Sequence, residues 1–334
     1  MASLNVPDLK NTSPSPVIST SDALVQLKID TAYIVLGGLA IATNGIIFYV
    51  LAMDPKLFKR SAFIFNITLS HLLGSCHMCF SGCYRVANHD ILGQKTSPWF
   101  CVAHAWTLFY GLEFQTMGFL LATAGLERFL AVNMPNWYRV NWNNKLSWKL
   151  SAGAFIFGCT GVGWGLYNTS KTALVPRRCP MGTVYGMDYI AYAAAISSFG
   201  GAIAALTTLL ALLKGKRRFS KMAAASQQTQ KMMKQLQITR TMLTVAFLDF
   251  FLTVPPNFAL FVSQANQNIP FNPYLPYFSN IAYSINGMAN FVAYIILNRE
   301  FRSAMFALLA RLGAPIGDQA QVIPVSSTRN VGVH

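Results

Sequence analysis

Seven stretches of this chain are almost free of formal charge, and they limit what it can fold into. Thr31–Met53, Ser61–Tyr84, Leu150–Tyr167, Tyr189–Leu213 and Tyr274–Leu297 contain no Asp, Glu, Lys or Arg. Cys101–Leu126 carries only Glu113, and Thr241–Ser263 only Asp249. Each run is close to the ~20 residues that cross a bilayer as a helix. Backbone groups in hydrocarbon must be satisfied within their own segment, which favours helices. Only 11% of the chain is charged, against about 25% in soluble domains. The sequence therefore reads as an all-α membrane protein, a seven-transmembrane helix bundle.

The net charge of +15 is a matter of topology. With the N-terminus outside, the inner loops hold Lys56, Lys59, Arg60, Arg128, Arg139, Lys145, Lys149, Lys214, Lys216, Arg217, Arg218, Lys221, Lys231, Lys234 and Arg240. The outer loops hold Arg85, Lys95, Lys171, Arg177 and Arg178. That distribution predicts a multi-pass protein with its N-terminus out and C-terminus in. The basic inner face suits anionic membrane lipids and argues against nucleic acid as a partner.

Three regions are expected: a disordered outer tail over 1–28, the seven-helix bundle with its following helix over 29–312, and a cytoplasmic tail over 313–334. No internal repeat is visible. "NREFRSAMFALLARLG" places Phe301, Met305, Leu308, Leu309 and Leu312 on one face between arginines. That pattern predicts a short amphipathic eighth helix on the inner membrane surface, ended by Gly313 and Pro315. The middle of the third inner loop is a good helix former, so the fifth and sixth spans are expected to continue into the cytoplasm. Asn11-Thr12-Ser13 and Asn168-Thr169-Ser170 fit the N-glycosylation pattern, and both fall outside in this topology. Cys76, Cys79 and Cys83 share a helical spacing, but nothing nearby completes a metal site, and no cofactor is implied. Cys101 and Cys179 both fall on the oxidising side; a disulfide between them would pin the loop before the fifth span to the third helix.

Ionisable and amide side chains inside spans are costly and mark function by default. Glu113, Asp249, His71, Asn44, Asn286 and Asn290 form the expected buried polar core, either a network that changes partners or a static one that fixes packing. His71 beside Glu113 would make a pH-sensitive pair; neutral and merely hydrogen-bonded is the alternative. Glu127-Arg128, at the inner end of the third run, is either an ion pair that exchanges partners or an anchor that snorkels to the headgroups.

"ERFLAV…P…Y" over Glu127–Tyr138 resembles the Asp-Arg-Tyr end of the third helix in rhodopsin-like (class A) G-protein-coupled receptors. Thr43-Asn44-Gly45, Asn66 with "LSHLL", Pro255-Pro256, "NFVAY" over Asn290–Tyr294 and "NREFR" are similar to that family's helix one, two, six, seven and eight motifs, in order. The resemblance implies a bundle coupled to a heterotrimeric G protein, a Cys101–Cys179 disulfide, and an activation set of Glu127, Arg128, Asn290 and Tyr294. It also implies a pocket for a small-molecule or peptide ligand lined by Tyr110, Phe114, Asn257, Leu260, Asn280 and Ser284. Departures are His71 at the second-helix acid, Phe291 at the seventh-helix proline, no Trp before Pro255, and either Trp148 or Trp164 shifted to the fourth-helix place. Loosened motifs of this kind are similar to nematode serpentine chemoreceptors, particularly the Srsx-like group. Tyr274–Leu297 has no Lys for a retinal Schiff base, and the outer third span has no Asp to meet an amine.

The functional expectation is a plasma-membrane receptor that transmits ligand binding to a G protein. The competing readings are a small-molecule or proton-coupled transporter built on Glu113, Asp249 and His71, and a receptor-like protein that no longer signals. An enzyme is not expected, since no HExxH, GxSxG or phosphate-cradling glycine loop is present.

Overall fold

The structure, a computed structural model, describes residues 20–169, 174–219, 227–265 and 274–311. In chain order the helices are α1 (Thr20–Met53), α2 (Pro55–Arg60), α3 (Ala62–Ala87), α4 (Pro98–Val102), α5 (Ala105–Asn133), α6 (Pro135–Asn141), α7 (Asn144–Thr169), α8 (Met181–Val184), α9 (Met187–Phe219), α10 (Gln227–Leu252), α11 (Val254–Ala265), α12 (Leu275–Leu297) and α13 (Arg299–Arg311). Strands β1 (Lys95–Thr96) and β2 (Val175–Pro176) pair antiparallel, Lys95 opposite Pro176.

The long helices form the expected seven-helix bundle, with α10 and α11 together as the sixth. Among the described residues, six stretches, from Ala23–Met53 to Leu275–Leu297, are long and apolar enough to cross a membrane. The seventh, α5, is central and packs against α3, α7 and α9. It is more polar because protein surrounds it: Gln115, Thr116, Phe114, Met117 and Leu120 are all fully buried. The bundle is apolar outward and polar inward. Val35, Leu39, Phe199, Leu206, Phe251 and Ile296 are exposed, while Asn44, His71, Glu113, Asp249 and Asn286 are buried. That distribution suits a lipid surround, which solvates no polar group.

Several expectations are met by identifiable causes. The sixth span breaks at Thr253, just before Pro255-Pro256, whose missing N–H groups interrupt the helical ladder. The gap is bridged by Thr253, whose Oγ1 donates to the Asp249 carbonyl at 2.8 Å and to Asp249 Oδ1 at 2.9 Å. α9 and α10 run beyond the apolar stretches towards one another, as the third inner loop's composition predicts; 220–226 lies outside the described residues. α13 starts at Asn298, whose Oδ1 accepts from the Phe301 amide at 3.0 Å, and it buries Phe301 and Met305. Leu309 is exposed on this helix, and Leu312, Gly313 and Pro315 lie outside the described residues, as does the 313–334 tail.

One boundary is corrected. The stretch 1–28 was expected to be disordered, yet α1 begins at Thr20. The uncharged-run criterion stopped at Asp30, but Asp30 is buried by cationic partners described below, so its charge does not end the helix. Residues 1–19, including Asn11, lie outside the described residues.

Close helix approach fixes the centre. A Cβ on Gly118 would sit 2.5 Å from the Ile196 carbonyl oxygen, and one on Gly200 would overlap the Gly118 carbonyl. α5 and α9 therefore touch backbone to backbone, as small residues allow in membrane bundles.

Candidate functional site

Polar side chains gather at three depths. At the end bearing the basic loops, Arg128 Nη2 meets Glu127 Oε1 at 2.7 Å, and the Tyr138 hydroxyl donates to the same oxygen at 2.8 Å. Tyr138 comes from α6, begun by Pro135 at its first turn. Burial, and then the Glu127 carboxylate beside it, push the Tyr138 phenol above its ordinary pKa, so it remains a donor at neutral pH. Arg128 is 8% exposed and lines a cavity of about 650 Å³ together with Leu57, Ile238, Met242, Asn298 and Arg299. Arg218 of α9 crosses to α5 and donates to the Val132 and Asn133 carbonyls at 2.6 and 3.1 Å. A cation at a helix C-terminus is stabilising, and this cap was not read from the sequence.

At mid-depth the expected polar core separates into groups. Asn286 Nδ2 donates to Asp249 Oδ1 at 3.1 Å. Asn290 Nδ2 faces His71 Nε2 at 3.3 Å. Asn44 donates to the Ala40 carbonyl at 2.9 Å and sits against Gly287, where a Cβ would come within 2.7 Å of its Nδ2. Glu113 stands apart, folded over Gly74, where any Cβ would overlap its carboxyl. The His71–Glu113 pair is thus corrected: the ring turns to α12 and meets Asn290. Tyr294 is buried, its ring 5.8 Å from that of Phe301, and its hydroxyl has no hydrogen-bond partner among the described residues.

Towards the other end, the ligand-pocket candidates are held by neighbouring side chains. Tyr110 and Phe114 stack at 5.0 Å, and Phe114 meets Tyr283 at 5.2 Å. Asn257 is a hub: it donates to Ser197 at 3.2 Å and Tyr283 at 3.1 Å, and accepts from Ser279 at 2.5 Å. Ser197 and Tyr283 are themselves hydrogen-bonded. Leu260 is fully buried. Asn280 donates to the Tyr33 hydroxyl at 2.9 Å, and Ser284 to Met78 Sδ at 2.9 Å. Asn280 and Ser284 line a cavity of about 10 Å³ with His77 and Glu113; Tyr110, Phe114, Asn257 and Leu260 lie outside its lining.

Above it lies a group that sequence reasoning missed. Cys101 and Cys179 are joined by a disulfide, which holds the β2 loop over the bundle. Arg178, next to Cys179, donates to Asp30 Oδ2 at 2.7 Å and to the Tyr277 hydroxyl at 3.2 Å. Arg85 Nη1 lies 3.6 Å from Asp30 Oδ1, and Arg85 Nε donates to the Arg178 carbonyl at 3.2 Å. The available signal was position: Asp30 and Arg85 flank the first two uncharged runs, and Arg178 neighbours a cysteine. Of the tryptophans considered for the fourth-helix place, Trp148 packs on Phe58 and Phe65 at 4.8 and 5.6 Å, and Trp164 on Tyr192 at 5.1 Å. Asn168 lies in the last turn of α7 beside Gly186, and the Thr169 hydroxyl of the same tripeptide donates to the Val184 carbonyl at 2.7 Å.

Comparison with known proteins fits this geometry. The sequence model of the seven-transmembrane receptors of the rhodopsin family matches residues 43–294, and the chain belongs to that family. No curated protein matches the chain.

Proposed function

We propose that this member of the rhodopsin family is a receptor that couples an external ligand to a heterotrimeric G protein, and that the structure represents its resting arrangement. The observation that carries the reading is Arg128, held by Glu127 and Tyr138 on the wall of the 650 Å³ cavity. A ligand that fits a second arrangement better shifts the population towards it. The break at Thr253 and the two prolines lets the inner half of the sixth span swing outward. Arg128 then leaves Glu127, and a G-protein segment enters the widened cavity. An outside N-terminus is supported by the gathering of basic residues at the Arg128 end and of the disulfide at the other. A nematode-type chemosensory role rests on the motif departures alone.

The transporter reading gains little support, since Glu113, Asp249 and His71 fall in separate groups rather than in one relay. The test is GTP exchange on a panel of Gα subunits with the purified protein in lipid discs, with and without a pooled small-metabolite library. Exchange on at least one Gα supports the reading. No exchange from a folded protein whose ligand demonstrably binds moves the choice to the transporter or the non-signalling protein.

Tyr294 adds an expected result in the same assay. Its hydroxyl is buried without a partner, and leaving such a group unsatisfied costs about 1–3 kcal/mol. Tyr294→Phe should leave thermal stability equal or higher and should lower ligand-driven exchange several-fold, because the hydroxyl finds its partner only in the active arrangement. Reduced stability with unchanged exchange would show that the hydroxyl serves the resting state.

A further inference from the structure

We infer that Asp30, Arg85 and Arg178 form a binding site for a carboxylate group on the ligand; this deepens the receptor reading and rests on it. The three side chains come from α1, α3 and the disulfide-held loop, and their side chains are 3%, 5% and 16% exposed. Two guanidiniums face one carboxylate, so the group holds a net positive charge away from water. A buried charge is costly unless paired.

The pairing inside the group is uneven. Arg178 has a short contact to Asp30 Oδ2 and a bond to Tyr277, whereas Arg85 Nη1 and Asp30 Oδ1, both buried, form a longer ion pair at 3.6 Å. Arg85 is oriented by its Nε bond to the Arg178 carbonyl and by the Tyr33 ring, 5.7 Å from its guanidinium carbon. A planar guanidinium whose Nη1 has only a 3.6 Å ion pair is matched better by a carboxylate that can approach and accept two parallel bonds.

The site is connected to the interior. The Tyr33 hydroxyl accepts from Asn280, and Asn280 lines the small cavity with His77, Ser284 and Glu113. A ligand whose carboxylate displaces Asp30 from the guanidiniums loosens the loop's hold on α1 and Tyr33's hold on α12. Its apolar remainder then enters where the small cavity opens. Arg177 adds positive charge beside the same loop, its guanidinium 5.4 Å from the Phe100 ring, so the surroundings attract anions. The Asp30 carboxylate occupies the place of the ligand's own carboxylate in the resting state.

The test measures binding and needs no G protein, so its failure is separable from failure of the coupling reading. Thermal stability of the purified protein in detergent is measured against hexanoate and phenylacetate, with hexanamide and phenylacetamide as uncharged matches. Wild type should be stabilised by the carboxylates and not by the amides. Arg85→Gln should remove that difference. Asp30→Asn frees both guanidiniums: it should lower stability without ligand and reduce the carboxylate concentration needed for half-effect about tenfold. A purely structural ion pair also predicts the loss of stability, but no carboxylate-specific rescue. Equal shifts from carboxylates and amides in wild type, or no shift from either, would overturn the inference. So would an Asp30→Asn variant that folds and binds carboxylate no more tightly.

Discussion

Replacing Arg128 by Ala is expected to abolish ligand-driven GTP exchange while the bundle stays folded, and Glu127→Gln is expected to raise exchange in the absence of ligand. The two results follow from opposite ends of one contact. Arg128 Nη2 reaches Glu127 Oε1 at 2.7 Å, and Tyr138 donates to the same oxygen. With Ala at 128, Glu127 loses its counter-charge but keeps the hydrogen bond from Tyr138 and lines the open cavity, so surface expression should hold. What disappears is the guanidinium that the cavity presents to its partner. With Gln at 127, the ion pair becomes a neutral hydrogen bond and the resting arrangement loses stabilisation. The side chains are only 10% and 13% exposed, but Gln keeps a neutral hydrogen bond, so the loss is the difference between a charge-assisted and a neutral bond, about 1 kcal/mol. A shift of that size changes the ratio of the two arrangements roughly fivefold, and exchange without ligand should rise by a similar factor. Tyr138→Phe should move in the same direction by less. Full activity in Arg128→Ala, at matched expression, would sink the mechanism; basal exchange in Glu127→Gln that stays level or falls would sink the latch.

The sequence made the bundle legible because lipid imposes a simple rule. Charge depletion over a helix's crossing length is a property of one segment, so each span could be read alone. The break at Thr253 was legible for a similar reason: two prolines act on their own backbone. Arg128, Asn290 and Tyr294 came from the order of short motifs, which survives although several motif residues have changed. What could not be read was pairing over distance. Arg178 and Asp30 are 148 positions apart, and nothing local distinguishes them from other charges at span ends. The same holds for Arg218 capping α5. For His71 the depth could be read but not the direction of its ring, so the choice between a pair with Glu113 and a plain hydrogen bond stayed open; the ring meets Asn290. The pocket candidates lie towards the disulfide end, yet their polar groups are bonded to neighbours whose positions no local pattern gives. Asn257, for example, spends its amide on Ser197, Tyr283 and Ser279.

The largest effect on stability is expected at Gly118 and Gly200. In either position a side chain meets backbone rather than the flexible end of a neighbour. A Cβ at 118 lies 2.5 Å from the Ile196 carbonyl oxygen and 2.9 Å from the Ser197 Cα, while one at 200 overlaps the Gly118 carbonyl. Carbonyls within helices cannot turn aside without losing their own hydrogen bonds, so α5 and α9 must move apart along their length. Over-packing of this kind costs about 1–3 kcal/mol in well-packed cores, and the backbone contact puts Gly118→Ala and Gly200→Ala at the upper end. Gly118→Val should exceed it and prevent folding at the cell surface. Gly163→Ala is the matched control: it lies on the exposed side of α7 with no atom within 4 Å of the new Cβ. There the loss of a helical glycine should be neutral or stabilising by up to about 1 kcal/mol. Surface expression and the melting temperature of the extracted protein separate the cases. If Gly118→Ala melted with the Gly163→Ala control, the backbone contact between α5 and α9 would not be what fixes the centre of the bundle. The polar residues that α5 carries into that centre would then owe their positions to α3 and α7 alone.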